Sequence, residues 1–166
     1  MVAQRAGQGM VTQAGHSGEQ ALCNGGQGDG AEYALRIEML RVRTGRIEAS
    51  VRVSSARFKN TSSALVAACS EQFPTIASHS CRNGVGPTFG HVMNATSVPH
   101  LLEHLVIDAQ ARATTNEDVV FTGTTQWSAE DPLVATVSVS YLDDLVALSA
   151  FKQAAAFLDD ALLGRR

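Results

Sequence analysis

The chain has 166 residues, of which 45% are hydrophobic and 17% charged, so it can form one globular domain with a substantial core rather than a disordered polymer. Its net charge of −3 gives no general attraction to nucleic acid or to an anionic membrane, and we expect neither as a partner. Three widely spaced cysteines do not fit the disulfide framework of a small secreted protein, and no apolar leader or membrane-length apolar run is present, so we expect a soluble protein of the reducing cytoplasm.

The first segment, residues 1–30, holds more than half of the 14 glycines, mixed with Gln and Ser, and has neither helical nor strand periodicity. Such a segment buries too little apolar surface to offset the entropy lost on ordering. We predict a disordered Gly/Gln-rich tail over residues 1–30, followed by a single domain over residues 31–164. His16 and Cys23 fall in the tail and are not assigned to a site.

The domain opens with two alternating segments joined by Thr44 and Gly45. Because Gly can supply the positive φ of a tight turn, this pattern predicts a β-hairpin. The segment "NTSSALVAACSEQF" then predicts a first helix, with Asn60 or Thr61 as its N-cap and Pro74 just beyond its end.

More than half of the 13 basic residues lie on this hairpin and just after it: Arg36, Arg41, Arg43, Arg46, Arg52, Arg57 and Lys59. The simpler interpretation is that they solvate the strand faces and protect the sheet edge. The functional interpretation is a basic patch that binds an acidic chain.

Residues 74–95 are rich in Gly, Ser, Asn and Pro, which predicts an ordered loop whose His79, Cys81 and His91 point into a cleft. Thr96 or Ser97 can cap a second helix, which we predict from Val98 to Arg112, with Pro99 in its first turn.

Two further strands are predicted in "EDVVFTGTTQW" and "PLVATVSVSYL". A long final helix is predicted to start at Asp143 or Asp144. Its apolar stripe consists of Leu145, Leu148, Phe151, Ala155, Leu158 and Leu162. The order of these elements predicts an α+β fold, a mainly antiparallel sheet of about four strands with about three helices packed on one face.

The second helix carries His100, Glu103 and His104 in the order H-x-x-E-H. Residues four apart lie on the same helical face, so the two imidazoles can share one divalent ion. Glu103 sits at the margin of that face, where it can take a proton from a metal-activated water. The pattern indicates zinc-dependent hydrolysis of an amide or related acyl bond, although an amphipathic helix can also carry two such histidines without binding metal.

A catalytic zinc usually has three protein ligands, so a third ligand must come from another element. Cys81 in the Gly-rich loop is the first choice, because a thiolate binds zinc strongly, and His79 and His91 are the alternatives. Asp108 lies four residues after His104 and could orient a ligating imidazole.

Three segments, "HSCRNGVGPTFGHVMNATSVPHLLEHLVIDAQ", "FTGTTQ" and "VATVSVSYLDD", together resemble the N-terminal domain of cyanophycin synthetase. The resemblance extends from about Tyr33 to Leu163. Enzymes of that family build a polymer of aspartate and arginine with an ATP-grasp domain and a Mur-ligase-like domain that follow this one. Because the chain has 166 residues, we expect a stand-alone relative that lacks both domains and makes no polymer by itself.

The resemblance also implies roles for individual residues. In some members the H-x-x-E-H face is similar to a zinc peptidase site able to cut the polymer. Matched by position, Cys81, His100 and His104 correspond to the zinc ligands and Glu103 to the general base.

The chain departs from the family pattern at three places. The family's Gly-Gly-Phe and the charged residues after it become "GPTFGHVMN", and a Gly-Thr pair becomes Ala95-Thr96. A G-[RK]-T-R turn becomes residues 123–126, "GTTQ", without either basic residue. We expect the last change to remove charge that could contact a carboxylate-bearing substrate.

We therefore expect a zinc-dependent, peptidase-like hydrolase that cleaves an amide or isopeptide bond in a peptide or a cyanophycin-like Asp/Arg polymer. The alternative is a non-catalytic module that binds the polymer or a partner through the basic hairpin. A partner of a separate ATP-grasp or Mur-type ligase, or a homo-oligomer, also fits the pattern.

Overall fold

The fold is α+β, as predicted, with four strands and three α-helices in the order ββα, loop, αββα. The protein is described by a computed structural model over residues 33–116 and 118–165. The predicted tail, with His16 and Cys23, lies outside the described residues. No helix within the described part of the chain combines the length and the apolar character needed to cross a membrane.

The predicted hairpin is present as β1 (Leu35–Arg43) and β2 (Arg46–Val53). The strands pair antiparallel, with Arg43 opposite Arg46. Gly45 in the two-residue turn has a φ of 73°. A residue with a Cβ is strained at that angle, which is why the turn uses glycine.

Two later strands complete the sheet, β3 (Gly123–Trp127) and β4 (Val134–Ser140). The strand order is β1-β2-β4-β3 and all neighbours are antiparallel, so β1 and β3 are the edge strands. The prediction started β3 too early. The strand begins only at Gly123, and Val120, which the apolar pattern placed in the strand, is 81% exposed.

The first helix, α1, spans Ser63–Gln72 and ends just before Pro74, as predicted, but its N-cap is Ser62. The Ser62 hydroxyl accepts a hydrogen bond from the Leu65 amide. The predicted caps are wrong because both are used elsewhere. Asn60 forms an isolated bridge with Ser97, and Thr61 hydrogen-bonds to Thr96.

The second helix, α2, spans Val98–Ala113, with Ser97 as N-cap and Pro99 in its first turn, which confirms the prediction. The third, α3, spans Asp144–Leu162 and is capped by Asp143. Its predicted apolar stripe is wrong at Leu145, which is 71% exposed. The first buried residue of α3 is Ala147.

The core lies between the sheet and the helices α2 and α3, while α1 packs against α3. The sheet contributes residues that share one face through the strand register, such as Ile47 opposite Val139 and Ala49 opposite Val137. The helix α2 contributes five fully buried apolar side chains, Val98, Leu101, Leu102, Leu105 and Val106. This packing fixes the rotation of α2 and therefore decides where its polar residues point.

Candidate metal centre

The loop before α2 brings a cysteine to the first turns of that helix. The Cys81 amide donates to the Pro87 carbonyl at 3.1 Å, and Ser80 bridges to Thr88. At the tip, the Asn83 side chain accepts hydrogen bonds from the amides of residues 85 and 86. These local bonds order the loop, so Cys81 is held against α2.

Cys81, His100 and His104 form one cluster. The Cys81 Sγ lies 3.5 Å from the His100 Nε2, and one ligand atom from each of the three residues lies within 4.8 Å of the others. One thiolate and two imidazoles are a donor set typical of zinc. The two histidines come from adjacent turns of α2, and the thiol comes from the loop.

The His100 ring is oriented by Thr96, whose hydroxyl lies 2.7 Å from its Nδ1. When Nδ1 carries the proton and donates it to the Thr96 hydroxyl, the lone pair of Nε2 faces Cys81. Burial lowers the pKa of His100, which keeps the ring neutral. A hydroxyl can accept or donate this hydrogen bond, so Thr96 orients the ring and is compatible with the tautomer able to bind a metal.

His104 is 2% exposed, and within the described residues neither of its ring nitrogens has a hydrogen-bond partner. Phe89 stacks on the ring at a centroid distance of 3.9 Å. Burial, with smaller contributions from His100 and His79, lowers the pKa of His104 to about 3. Buried polar nitrogens are rarely left unpaired, so this neutral imidazole fits a metal ligand better than a satisfied core residue.

The Glu103 side chain packs against the edge strand β3. The Thr125 hydroxyl donates to its Oε2 at 2.6 Å. Gly123 lies so close that a Cβ at that position would sit 2.5 Å from the Glu103 Cγ. Burial raises the pKa of Glu103, and the hydrogen bond from Thr125 partly offsets that rise. The result is a carboxylate of increased basicity beside the metal cluster.

Asp108 contacts His79 rather than either imidazole of the cluster. Its Oδ1 accepts from the Thr75 hydroxyl at 2.7 Å and lies 3.4 Å from the His79 Nε2, and Arg112 lies 2.8 Å from its Oδ2. Burial favours the neutral acid, but hydrogen bonds from His79 and Thr75 and the charge of Arg112 hold the pKa of Asp108 below its usual value. The centre of the His79 ring lies 5.7 Å from that of the His104 ring, and the two rings are tilted by 39°.

His91, the other alternative ligand, is exposed and lies 2.9 Å from the Thr88 hydroxyl. It is not part of the metal cluster found among the described residues.

The sequence did not indicate that Thr96, Gly123, Thr125 and Phe89 contact the candidate site residues. The strand parity of β3 locates the two positions where the family pattern has basic residues. Thr124 and Gln126 alternate with Thr125 and are exposed, so they face away from Glu103. Basic residues at those two positions would lie on the outer face of the sheet.

The model of the family described as "Cyanophycin synthase-like N-terminal domain" matches residues 46–162. The match covers more than half of the chain, from β2 to the end of α3, and includes all residues of the cluster. No curated protein and no solved structure matches the chain.

Proposed function

The chain belongs to the family of cyanophycin synthase-like N-terminal domains, and on that premise we propose that it is a zinc-dependent, peptidase-like hydrolase. Its substrate is an amide or isopeptide bond in a peptide or a cyanophycin-like polymer. The observation that carries the proposal is the convergence of Cys81, His100 and His104 beside the buried carboxylate of Glu103.

Cys81, His100 and His104 are the residues that would hold the zinc, and the two unpaired nitrogens of His104 support this assignment. Zinc bound by three protein ligands keeps a fourth position open, and there it lowers the pKa of a water to about 7 and polarises a carbonyl.

Glu103 is the catalytic base in this proposal. The Thr125 hydroxyl occupies its Oε2, which leaves Oε1 to accept a proton from the attacking water. The water oxygen bonds to the carbonyl carbon, the C–N bond breaks, and Glu103 returns the proton to the leaving nitrogen. Thr125 and Gly123 act as positioning residues, because they hold the carboxylate against β3.

The test is to compare the wild type with Glu103→Gln. We expect close to one equivalent of zinc in both proteins, cleavage of cyanophycin or of synthetic Asp/Arg peptides by the wild type, and no cleavage by the variant. Glu71→Gln, the same change on an exposed face of α1, is the matched control and should cleave like the wild type. A zinc-loaded wild type without hydrolytic activity, or an active Glu103→Gln protein, contradicts the proposal.

A second candidate is a non-catalytic module that binds a polymer, or a separate ATP-grasp or Mur-type ligase, through the basic hairpin. One observation favours it. Arg41 and Arg46 make no ion pair with any described residue, whereas Arg36, Arg43 and Arg52 each pair with a carboxylate. Less than about half an equivalent of zinc with no gain on reconstitution, together with polymer binding lost in Arg41→Gln, would favour this function.

A further inference from the structure

The edge strand β3 has one side that pairs with no described residue. The Ser140 amide donates to the Thr122 carbonyl at 2.8 Å, and the Ser128 amide donates to the Val134 carbonyl at 2.8 Å. In an antiparallel pair, successive residues direct their backbone groups alternately toward and away from the partner strand. The backbone amides and carbonyls of the even-numbered residues of β3 therefore point toward β4. Those of Gly123, Thr125 and Trp127 point outward, away from β4.

These outward groups lie beside the metal centre. Gly123 and Thr125 contact Glu103 through the side of the strand that faces α2. A chain that pairs with the outer edge of β3 would run about 4.8 Å from the strand, alongside Glu103.

A cation without a carboxylate partner among the described residues lies at the end of this edge. Lys59 places its Nζ 4.3 Å from the centre of the Trp127 ring, at the end of β3. Its charge is complementary to an acidic chain and opposes the binding of a basic one.

From this geometry we propose that the free edge of β3 binds an extended acidic peptide chain as an added strand. The main chain of the peptide hydrogen-bonds to Gly123, Thr125 and Trp127, and one of its amide bonds lies over the Cys81, His100 and His104 cluster. Main-chain hydrogen bonds supply affinity that does not depend on the side chains of the peptide. Only the position of the cleaved bond rests on the proposed function, since strand addition requires neither zinc nor turnover.

Amide hydrogen exchange measured by NMR on the Glu103→Gln protein tests the inference, with an octa-aspartate peptide as probe. At saturating peptide, the amides of Gly123, Thr125 and Trp127 should exchange about tenfold more slowly, whereas those of Thr124 and Gln126, already paired with β4, should not change. An octa-lysine peptide should give no slowing. Absence of this alternation, equal binding of octa-lysine, or slow exchange of the outward amides before peptide is added overturns the proposal; in the last case another segment or a second copy covers the edge.

Two substitutions at one position provide a second measurement. Thr125→Val and Thr125→Pro both remove the hydroxyl, but only Thr125→Pro removes the outward amide, and proline is tolerated on edge strands where that amide faces outward. Trp127 is the only tryptophan of the chain, so its fluorescence reports peptide binding. We expect Thr125→Pro to bind octa-aspartate about tenfold more weakly than Thr125→Val. Equal affinities in two folded variants contradict the inference.

The outcomes also separate the two proposals. Alternating protection in Glu103→Gln, together with a zinc-loaded wild type that has no hydrolytic activity, leaves the strand-addition inference standing and overturns the hydrolase. Hydrolysis by the wild type without alternating protection supports the hydrolase and overturns the strand-addition inference.

Discussion

Gly123→Ala tests whether β3 positions the catalytic carboxylate. The added Cβ would lie 2.5 Å from the Glu103 Cγ and 2.6 Å from its Oε1. Carbon atoms in contact are separated by at least about 3.5 Å, so the Glu103 side chain must move by about 1 Å. The backbone of β3 needs no change, because alanine fits an edge strand.

The expected effect follows from that displacement. A misplacement of about 1 Å of a catalytic group reduces the rate about 100-fold, or about 2.7 kcal/mol in activation free energy. The movement also strains the 2.6 Å hydrogen bond from Thr125. Because the three atoms nearest to the added Cβ all belong to Glu103 and none to the proposed zinc ligands, we expect the zinc content to stay the same.

The assay is steady-state cleavage of the best substrate found for the wild type, with zinc measured on the same samples. We expect kcat of Gly123→Ala to fall about 100-fold with little change in KM. Thr124→Ala, on the opposite face of the same strand, is the control and should retain kcat within about twofold. An unchanged kcat in zinc-loaded Gly123→Ala would refute the reasoning that β3 sets the position of Glu103.

Other predictions concern the metal ligands and the core. Thr96→Val should weaken zinc affinity about 10- to 100-fold in a competition assay with a chelator, because the nearby imidazole loses its orienting hydroxyl; an unchanged affinity would exclude that role. In zinc-free protein, alkylation mapped by mass spectrometry should label Cys81 and spare Cys69, since burial raises the pKa of Cys69 to about 12, and zinc should protect Cys81. Leu101→Ala, at a fully buried site, should lower the free energy of unfolding by about 2–5 kcal/mol in urea titrations, whereas Leu145→Ala should change it by less than about 0.5 kcal/mol.

The elements that could be predicted from sequence depend on local chemistry. The Ser97 cap, Pro99 and the apolar spacing of the segment predict the helix α2. Gly45 predicts the turn of the hairpin. The errors occur where a distant segment decides. Asn60 cannot cap α1 because it pairs with Ser97, on the far side of the loop. In the same way, β3 begins where β4 is available as a partner.

The candidate site also contains residues that local sequence predicts and residues that depend on distant segments. The spacing of His100 and His104 is a property of one helix, so their shared face could be predicted. Thr125 is 22 residues from Glu103 in the chain. Its hydroxyl reaches the carboxylate only because β3 lies at the sheet edge next to β4 and the side chains of its odd-numbered residues face α2. No local pattern contains that information, which is why the positioning residues were not predicted.

The loop that carries Cys81 is ordered by short turns and one isolated bridge, and Cys81 and His100 are 19 residues apart. An ion shared by these two side chains closes a ring in the polypeptide, as a disulfide would, and restricts the unfolded chain in a similar way. The free energy of metal binding therefore includes the conformational entropy of this ring. Gly84, at the loop tip with a φ of 74°, is not one of the proposed ligands, yet through that entropy it would contribute to the proposed metal affinity.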